Sequence, residues 1–427
     1  MILADLGAAL LAALTDAVAA GELPDSATRA QPSGTWRPVP PADGGGPGTY
    51  ATSLPFTITP NPAPDQAPTP DQAQAPNPAP YPARVANILA PRLAAAPWIE
   101  AARVTGAGYL TITVATAHLT GLARRIVAAG SGCATSTALA GRRVPIATAG
   151  PAPAPDWPRA WRSRHEELLG ALAGAAGATV IPTRSQLIRA PDSGGQPGPA
   201  PVPAAIAEYG ADAVRYALAR AASPDAAVIE AQVRRPLDLA NPFVAVTHAC
   251  LDAAATRRRA ADLGLARQTP GPAGPARSPG PDDPPAPSAS GQRPGPPGPG
   301  AAWTTEPAEL RLLDELAWLP ERAAAAARRA RPAELTAQLE RIAAAWLDCR
   351  EQCPALPFGG RRGPADPAGQ LAAARLTLAD ATHVALLAGL RLLSVRPFAV
   401  RPFDVRPFDI RPIGPAGPET RWPEACH

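Results

Sequence analysis

The chain has no lysine: all 40 cationic residues among its 427 are arginine. Genomic bias toward Arg, Ala, Pro and Gly codons is a sufficient cause, but one exclusion is firm. Chemistry that needs a lysine is ruled out, including the lysine of a phosphate-binding loop and Schiff-base catalysis. Cysteine is sparse and odd in number, at Cys133, Cys250, Cys349, Cys353 and Cys426, and lacks paired metal spacing, which suits a reduced, cytoplasmic protein. Cys349 and Cys353 stand one helical turn apart on an apolar stripe, so they read as packing and not as metal ligands. The start, Met1 to Ala20, is apolar but carries Asp5 and Asp16 and has no cation before Arg29. This predicts an amphipathic first helix, not a signal peptide, and no uninterrupted run is expected to span a membrane.

Proline and glycine are abundant, at 58 and 36 residues, and gather in tracts that shrink the ordered mass. The formal net charge of +4 permits a nucleic-acid partner without demanding one. The strongest periodicity lies between Arg331 and Cys353, where Leu335, Leu339, Ile342, Trp346, Cys349 and Cys353 share one helical face. Glu334, Gln338, Glu340, Arg341 and Arg350 mark the opposite face. A leucine-rich segment precedes it, with Pro320 expected to interrupt or kink the helix. A third stripe, Leu371, Leu378, Thr382, Ala385, Gly389 and Leu392, follows, and three such stripes predict a helical bundle.

The N-terminal part reads as helix, strand (Tyr50 to Thr59), helix (Ala83 to Ala95), hairpin and helix (Thr116 to Ala129). The hairpin turns at Gly106-Ala107-Gly108. Its expected core holds Leu54, Phe56, Ile88, Leu89, Val104, Leu110, Ile112, Val114, Leu119, Leu122 and Ile126. Between residues 131 and 207 a strand at Val144 to Thr148, a helix at Arg159 to Ala176 and a strand at Thr179 to Ile181 are expected. Arg162, Arg164, His165, Glu166 and Glu167 read as a solvated helical face. Arg257, Arg258 and Arg259 are either phosphate contacts or a basic helix face with no partner.

Four segments resemble the arginyl-tRNA synthetase family in order along the chain. Gly48-Thr49-Tyr50-Ala51-Thr52 and Val104 to Ile112 resemble its N-terminal additional domain. Gly210-Ala211-Asp212-Ala213-Val214-Arg215-Tyr216 is similar to the segment that follows the catalytic domain, and Asn241-Pro242-Phe243 to the opening of the helix beneath the anticodon domain. Glu306 to Leu310 with Ala373 to Leu376 and Ala388 to Leu393 resembles the DALR-type anticodon-binding domain. The resemblance implies an α+β N-terminal domain followed by a mainly α-helical DALR-type bundle, with long disordered Pro/Gly-rich linkers. Its boundaries would be 1–130 for the additional domain, 131–207 for a remnant in place of the catalytic domain and 208–265 for a stem-contact region. A linker at 266–302, the bundle at 303–395 and an Arg-Pro-Phe repeat tail at 396–427 would complete the chain.

By the same resemblance, Tyr109 keeps an aromatic that contacts the D-loop, while Thr111 stands where asparagine is expected. Taken without the resemblance, Tyr109 reads more readily as a half-buried hairpin aromatic than as a base platform, and the resemblance brings the two readings level. Arg215, Tyr216, Asn241, Trp346 and Arg350 complete the implied RNA-contacting set, although Asp212 and Arg215 can simply pair on their helix. Trp346-Leu347-Asp348-Cys349-Arg350 departs from the family's aromatic-rich central helix. No two of the five histidines have the spacing of the ATP-gripping signature, and the lysine-bearing loop is absent. The resemblance therefore implies a noncatalytic tRNA-binding protein without cofactor or metal. Its alternatives are a scaffold for a genuine aminoacyl-tRNA synthetase or another protein and, last, arginine-tRNA ligase activity.

Overall fold

The computed structural model describes residues 1–58, 81–148, 156–184, 201–236, 238–265, 306–356 and 367–397. The linker expected at 266–302 and the Arg-Pro-Phe repeats beyond Pro397 lie outside these residues, as does the Pro/Ala-rich stretch 60–80.

Apolar residues four apart make the first helix, α1 (Ile2–Ala19), bury Ile2, Leu6, Leu10 and Leu14. Four antiparallel strands follow: β1 (Trp36–Pro38), β2 (Thr49–Thr52), β3 (Ile99–Thr105) and β4 (Tyr109–Val114), in the spatial order β1-β2-β4-β3. Alternation along β4 sends Leu110, Ile112 and Val114 inward and Tyr109, Thr111 and Thr113 to the other face. Tyr50 faces Ile112 and Thr52 faces Leu110, so β2 shares this polarity. Helices α2 (Tyr81–Ala94), α3 (Thr116–Thr120) and α4 (Leu122–Ala129) complete the region. β1 is a strand that the sequence patterns did not predict. The strand expected to reach Thr59 stops at Thr52, because Pro55 turns the chain into a 3-10 helix at Leu54–Thr57. Phe56, expected in the core, is left 41% exposed by that turn. The helix expected as one from Thr116 is divided at Gly121.

Residues Arg143–Thr148 (β5) and Thr179–Arg184 (β6) pair in parallel, joined by α5 (Trp157–Ala175). The three elements were expected; their assembly into a β-α-β unit was not. Helices α6 (Pro201–Tyr209), α7 (Ala211–Arg220), α8 (Ala226–Val233) and α9 (Pro242–Asp262) lead to α10 (Pro307–Arg328), α11 (Ala333–Gln352) and α12 (Pro367–Leu392). The fold is thus an α+β N-terminal region with a mainly helical C-terminal part.

All six stripe residues of α11 are buried, as their spacing requires. Gln338, assigned to the solvent face, is instead fully buried, donating from Nε2 to the Glu315 carbonyl at 2.8 Å. Helix α10 runs through Pro320, whose buried ring packs where an interruption was expected. Along α12 the buried positions are largely small, with Ala379, Ala381, Ala385 and Ala388 letting neighbouring helices approach closely. At Gly389 a Cβ would meet Leu339 Cδ2 at 2.3 Å, which shows how near α11 lies.

By length and composition two helical stretches, Ile2–Ala19 and Gly369–Leu392, are apolar enough to cross a membrane, although no uninterrupted run was expected. Both bury one face in the core.

Core side chains of the N-terminal sheet and of the bundle belong to one continuous cluster, including Tyr50, Leu110, Leu316, Trp318 and Trp346. The contact runs along α10: Tyr50 and Trp318 lie 5.6 Å apart between ring centroids, and Gly34 N–H donates to Glu321 Oε1 at 2.9 Å. Gly48 N–H donates to Asp314 Oδ1 at 3.1 Å. Helix α5 clamps the other side. The buried Arg164 donates to the Leu393 carbonyl at the end of α12 and to Glu167 at 2.6 Å. His165 is hydrogen-bonded to the Ala330 carbonyl at 3.0 Å and stacks on Trp161. These two residues, read as part of a solvated face, are instead fasteners: they satisfy carbonyls freed at the C-terminal ends of α10 and α12.

Burial raises the Asp314 carboxyl from 3.8 to about 6. A raised acid contributes stability that is fully present below its unfolded pKa and is lost as pH rises through its folded one. Asp314→Asn removes that dependence. Its stability relative to the parent is expected to improve by about 1–3 kcal/mol between pH 4 and pH 7. Chemical denaturation of both proteins at the two pH values checks this.

Candidate nucleic-acid interface

Asn241 caps α9, its Oδ1 accepting from Phe243 N–H at 3.1 Å, and Pro242 occupies the first turn. From that fixed start, Asp252, Thr256 and Arg259 fall on successive turns of one side. Asp252 accepts from Trp346 Nε1 at 3.1 Å and from Arg350 Nη1 at 2.6 Å, tying α9 to α11. Arg375, on α12, donates through Nε to Glu309 Oε1 at 2.7 Å and through Nη1 to the Pro354 carbonyl at 3.1 Å. Between these three helices opens a cleft of about 280 Å³. Cys349, Cys353, Leu356 and Leu378 are among its apolar lining, and Arg259, Arg350 and Arg375 are its charged groups. Among the described residues no carboxylate lines it. Burial pushes the Cys349 thiol up to about 12, so the sulfur is a neutral, apolar wall at physiological pH. The cleft therefore offers cations and hydrogen-bond donors beside an apolar surface, which suits an anionic ligand carrying a flat apolar group.

Three of the residues singled out from sequence, Arg259, Trp346 and Arg350, meet at this cleft. Trp346 itself is buried with its N–H committed to Asp252, so it shapes the wall and does not stack on a base. Arg258 is exposed beside Arg259, and Arg257 lies 3.5 Å from Asp380. Two further residues leave the RNA-contacting set. Tyr216 is 1% exposed, its hydroxyl directed at Glu340 Oε1 at 3.3 Å and its ring tilted on Phe243. Asn241 is buried and spent on the helix cap. Arg215 pairs with Asp212 at 3.1 Å, as a three-residue helical spacing allows.

Tyr109 and Thr111 lie on the outer face of the N-terminal sheet, away from its core. Tyr109 packs against Phe56 with centroids 4.8 Å apart. Thr111 sits in a row that crosses all four strands, Arg37-Ala51-Thr111-Arg103, because those residues are direct cross-strand partners. Arg37 and Arg103 are exposed at the two edges, and Thr49, Thr105 and Thr113 add hydroxyls. Sequence reasoning found the aromatic and missed the arginines. The signal was available in strand parity, since Arg37 and Arg103 each alternate with an inward-facing neighbour. Arg375 left no such signal, because its position at the cleft depends on Glu309, 66 residues away.

Among the described residues there is no group of three or more His, Cys, Asp or Glu side chains able to hold a metal ion. Cys250 Sγ lies 3.5 Å from His383 Nδ1, and its thiol is raised to about 12 by burial, so this pair packs without being poised for chemistry.

A search of curated proteins returns no match. Residues 290–399 match the family described as the DALR anticodon binding domain, about a quarter of the chain. Helices α10 to α12 thus carry a DALR anticodon-binding domain of the arginyl-tRNA synthetase-related kind, and α9, which supplies the cleft's other wall, lies before the matched residues.

Proposed function

We propose that the protein is a noncatalytic tRNA-binding protein of the cytoplasm, with the arginine-lined cleft and the adjoining Arg257 to Arg259 turn as its principal surface. The observation that carries this reading is an arginine-lined cleft, with no carboxylate among its described lining, between α9 and the helices that match an anticodon-binding domain. The outer sheet face, with Tyr109 and Thr111 between Arg37 and Arg103, is a second contact surface in this account. The noncatalytic assignment rests on the missing lysine and on the small β5-α5-β6 unit at residues 143–184. A doubly wound nucleotide-binding domain with its inserts needs on the order of 150–200 residues. Sparse thiols, buried at all four described cysteines, support a reducing compartment.

The test is a competition experiment with labelled tRNA bound to the full chain. An isolated anticodon stem-loop is expected to displace the tRNA, and an isolated acceptor stem is not. Displacement by the acceptor stem alone, or no binding of tRNA, would overturn the reading.

A further inference from the structure

The cleft's chemistry goes beyond general RNA affinity, and the following rests on the tRNA-binding reading above. Its charged side chains are all donors. Arg350 and Arg375 each use some N–H groups on Asp252, Glu309 and the Pro354 carbonyl but keep others, since a guanidinium carries five. Arg259 lines the same cleft from the last turn of α9 and is exposed. Trp346 N–H is already taken, and the Thr256 hydroxyl donates to the Asp252 carbonyl at 3.0 Å. The apolar part, formed by Cys349, Cys353 and Leu378, is suited to the face of a ring and not to a bare phosphate.

We infer that the cleft receives one unstacked RNA base and selects guanine. Guanine presents two adjacent acceptors, O6 and N7, which a guanidinium meets with two parallel N–H donors; adenine places an amino donor beside N7 and meets the cationic lining with like polarity. Arg259 is the reader, because its exposed fork can approach the base edge. Arg350 and Arg375, paired with Asp252 and Glu309, place further N–H donors at the rim behind it. A carboxylate in the lining would favour cytosine or adenine through their amino groups, and the described lining has none.

Four hairpin RNAs that differ only in one loop nucleotide test this by fluorescence anisotropy on the full chain. The guanine hairpin is expected to bind roughly ten-fold more tightly than the adenine, cytosine or uracil hairpins. Arg259→Ala should bring the four affinities together. Arg259→Lys should do the same while keeping more of the common, salt-dependent affinity, because lysine supplies charge without the fork. Equal binding of all four by the parent protein, or preference for another base, overturns the guanine assignment and leaves tRNA binding standing. Failure of every hairpin to bind overturns both. Arg259 is exposed on a helix end, and matching thermal melts of the three proteins show whether folding is retained.

Discussion

Replacing Gly108 with alanine is expected to destabilise the protein by about 2–5 kcal/mol, a loss that combines backbone strain with overpacking. Gly108 has a φ of +128°, a conformation side-chain-bearing residues rarely adopt. The space is closed as well. A Cβ there would lie 2.6 Å from Ala83 N and 2.7 Å from the Pro82 carbonyl carbon, both backbone atoms at the start of α2. Neither can yield unless α2 leaves the sheet. Gly106, at the first position of the same turn, is the contrast. Its φ of +56° lies in the left-handed helical region, and its nearest neighbour is Tyr109 Cδ2 at 4.0 Å. Gly106→Asn is therefore expected to cost under about 1 kcal/mol, since asparagine tolerates that region. Urea unfolding of both variants separates the two. Equal, small losses would mean that the hairpin does not pack on α2 as described.

Arg375→Met is expected to cost about 3–5 kcal/mol at neutral pH, because it strands a buried carboxylate. Glu309 is 2% exposed, and its Oε2 has no hydrogen-bond partner among the described residues, so Arg375 is the group that compensates its charge. Burial already holds the Glu309 carboxyl above 4.5 despite the arginine's opposing pull. Removing the arginine raises it further. The sign follows from proton uptake: the folded variant binds a proton at a pH where the unfolded chain does not, so its deficit shrinks on acidification and is largest above the folded pKa. The double variant Glu309→Met with Arg375→Met should recover most of the loss, since a buried pair is often no more stabilising than apolar residues of similar volume. A pH-independent deficit in the single variant, or no recovery in the double one, would show that Arg375 acts through packing and not through Glu309.

Periodicity located the helices of the bundle and the two hairpin strands because each rests on local patterns of three to four or of two residues. The stripe on α11 was legible for that reason. What it could not reveal were the partners, which come from distant parts of the chain. Gln338 looked like a surface residue because the Glu315 carbonyl that it satisfies is on another helix. Arg164 and His165 looked solvated because the carbonyls they reach belong to the ends of α10 and α12. Phe56 failed differently, since Pro55 changed the local backbone and with it the direction of the side chain.

At the interface, the family resemblance and composition drew attention to Arg257 to Arg259, Trp346 and Arg350, and the fold gathers three of these five at one cleft. Tyr216 and Asn241 fit the resemblance equally well and prove to be interior. A motif match carries residue type and spacing; it does not carry exposure, which depends on how α7 and α9 pack on α11. Arg37 and Arg103 show the converse, exposed cations that come to flank one cross-strand row only through strand register.

The central claim, that this chain binds tRNA through arginines at the end of α9, is tested most directly by tRNA affinity measured across a range of salt concentrations. The parent protein is compared with Arg257, Arg258 and Arg259 all replaced by alanine. Removing one arginine that neutralises a phosphate lowers the slope of log affinity against log salt by roughly 1. Arg258 and Arg259 should contribute fully and Arg257 less, because it lies beside Asp380. The account predicts salt-sensitive binding by the parent, with the slope reduced by about 2 in the variant and the thermal melt unchanged. Binding with the same slope in both proteins, or no binding at low salt, would contradict it.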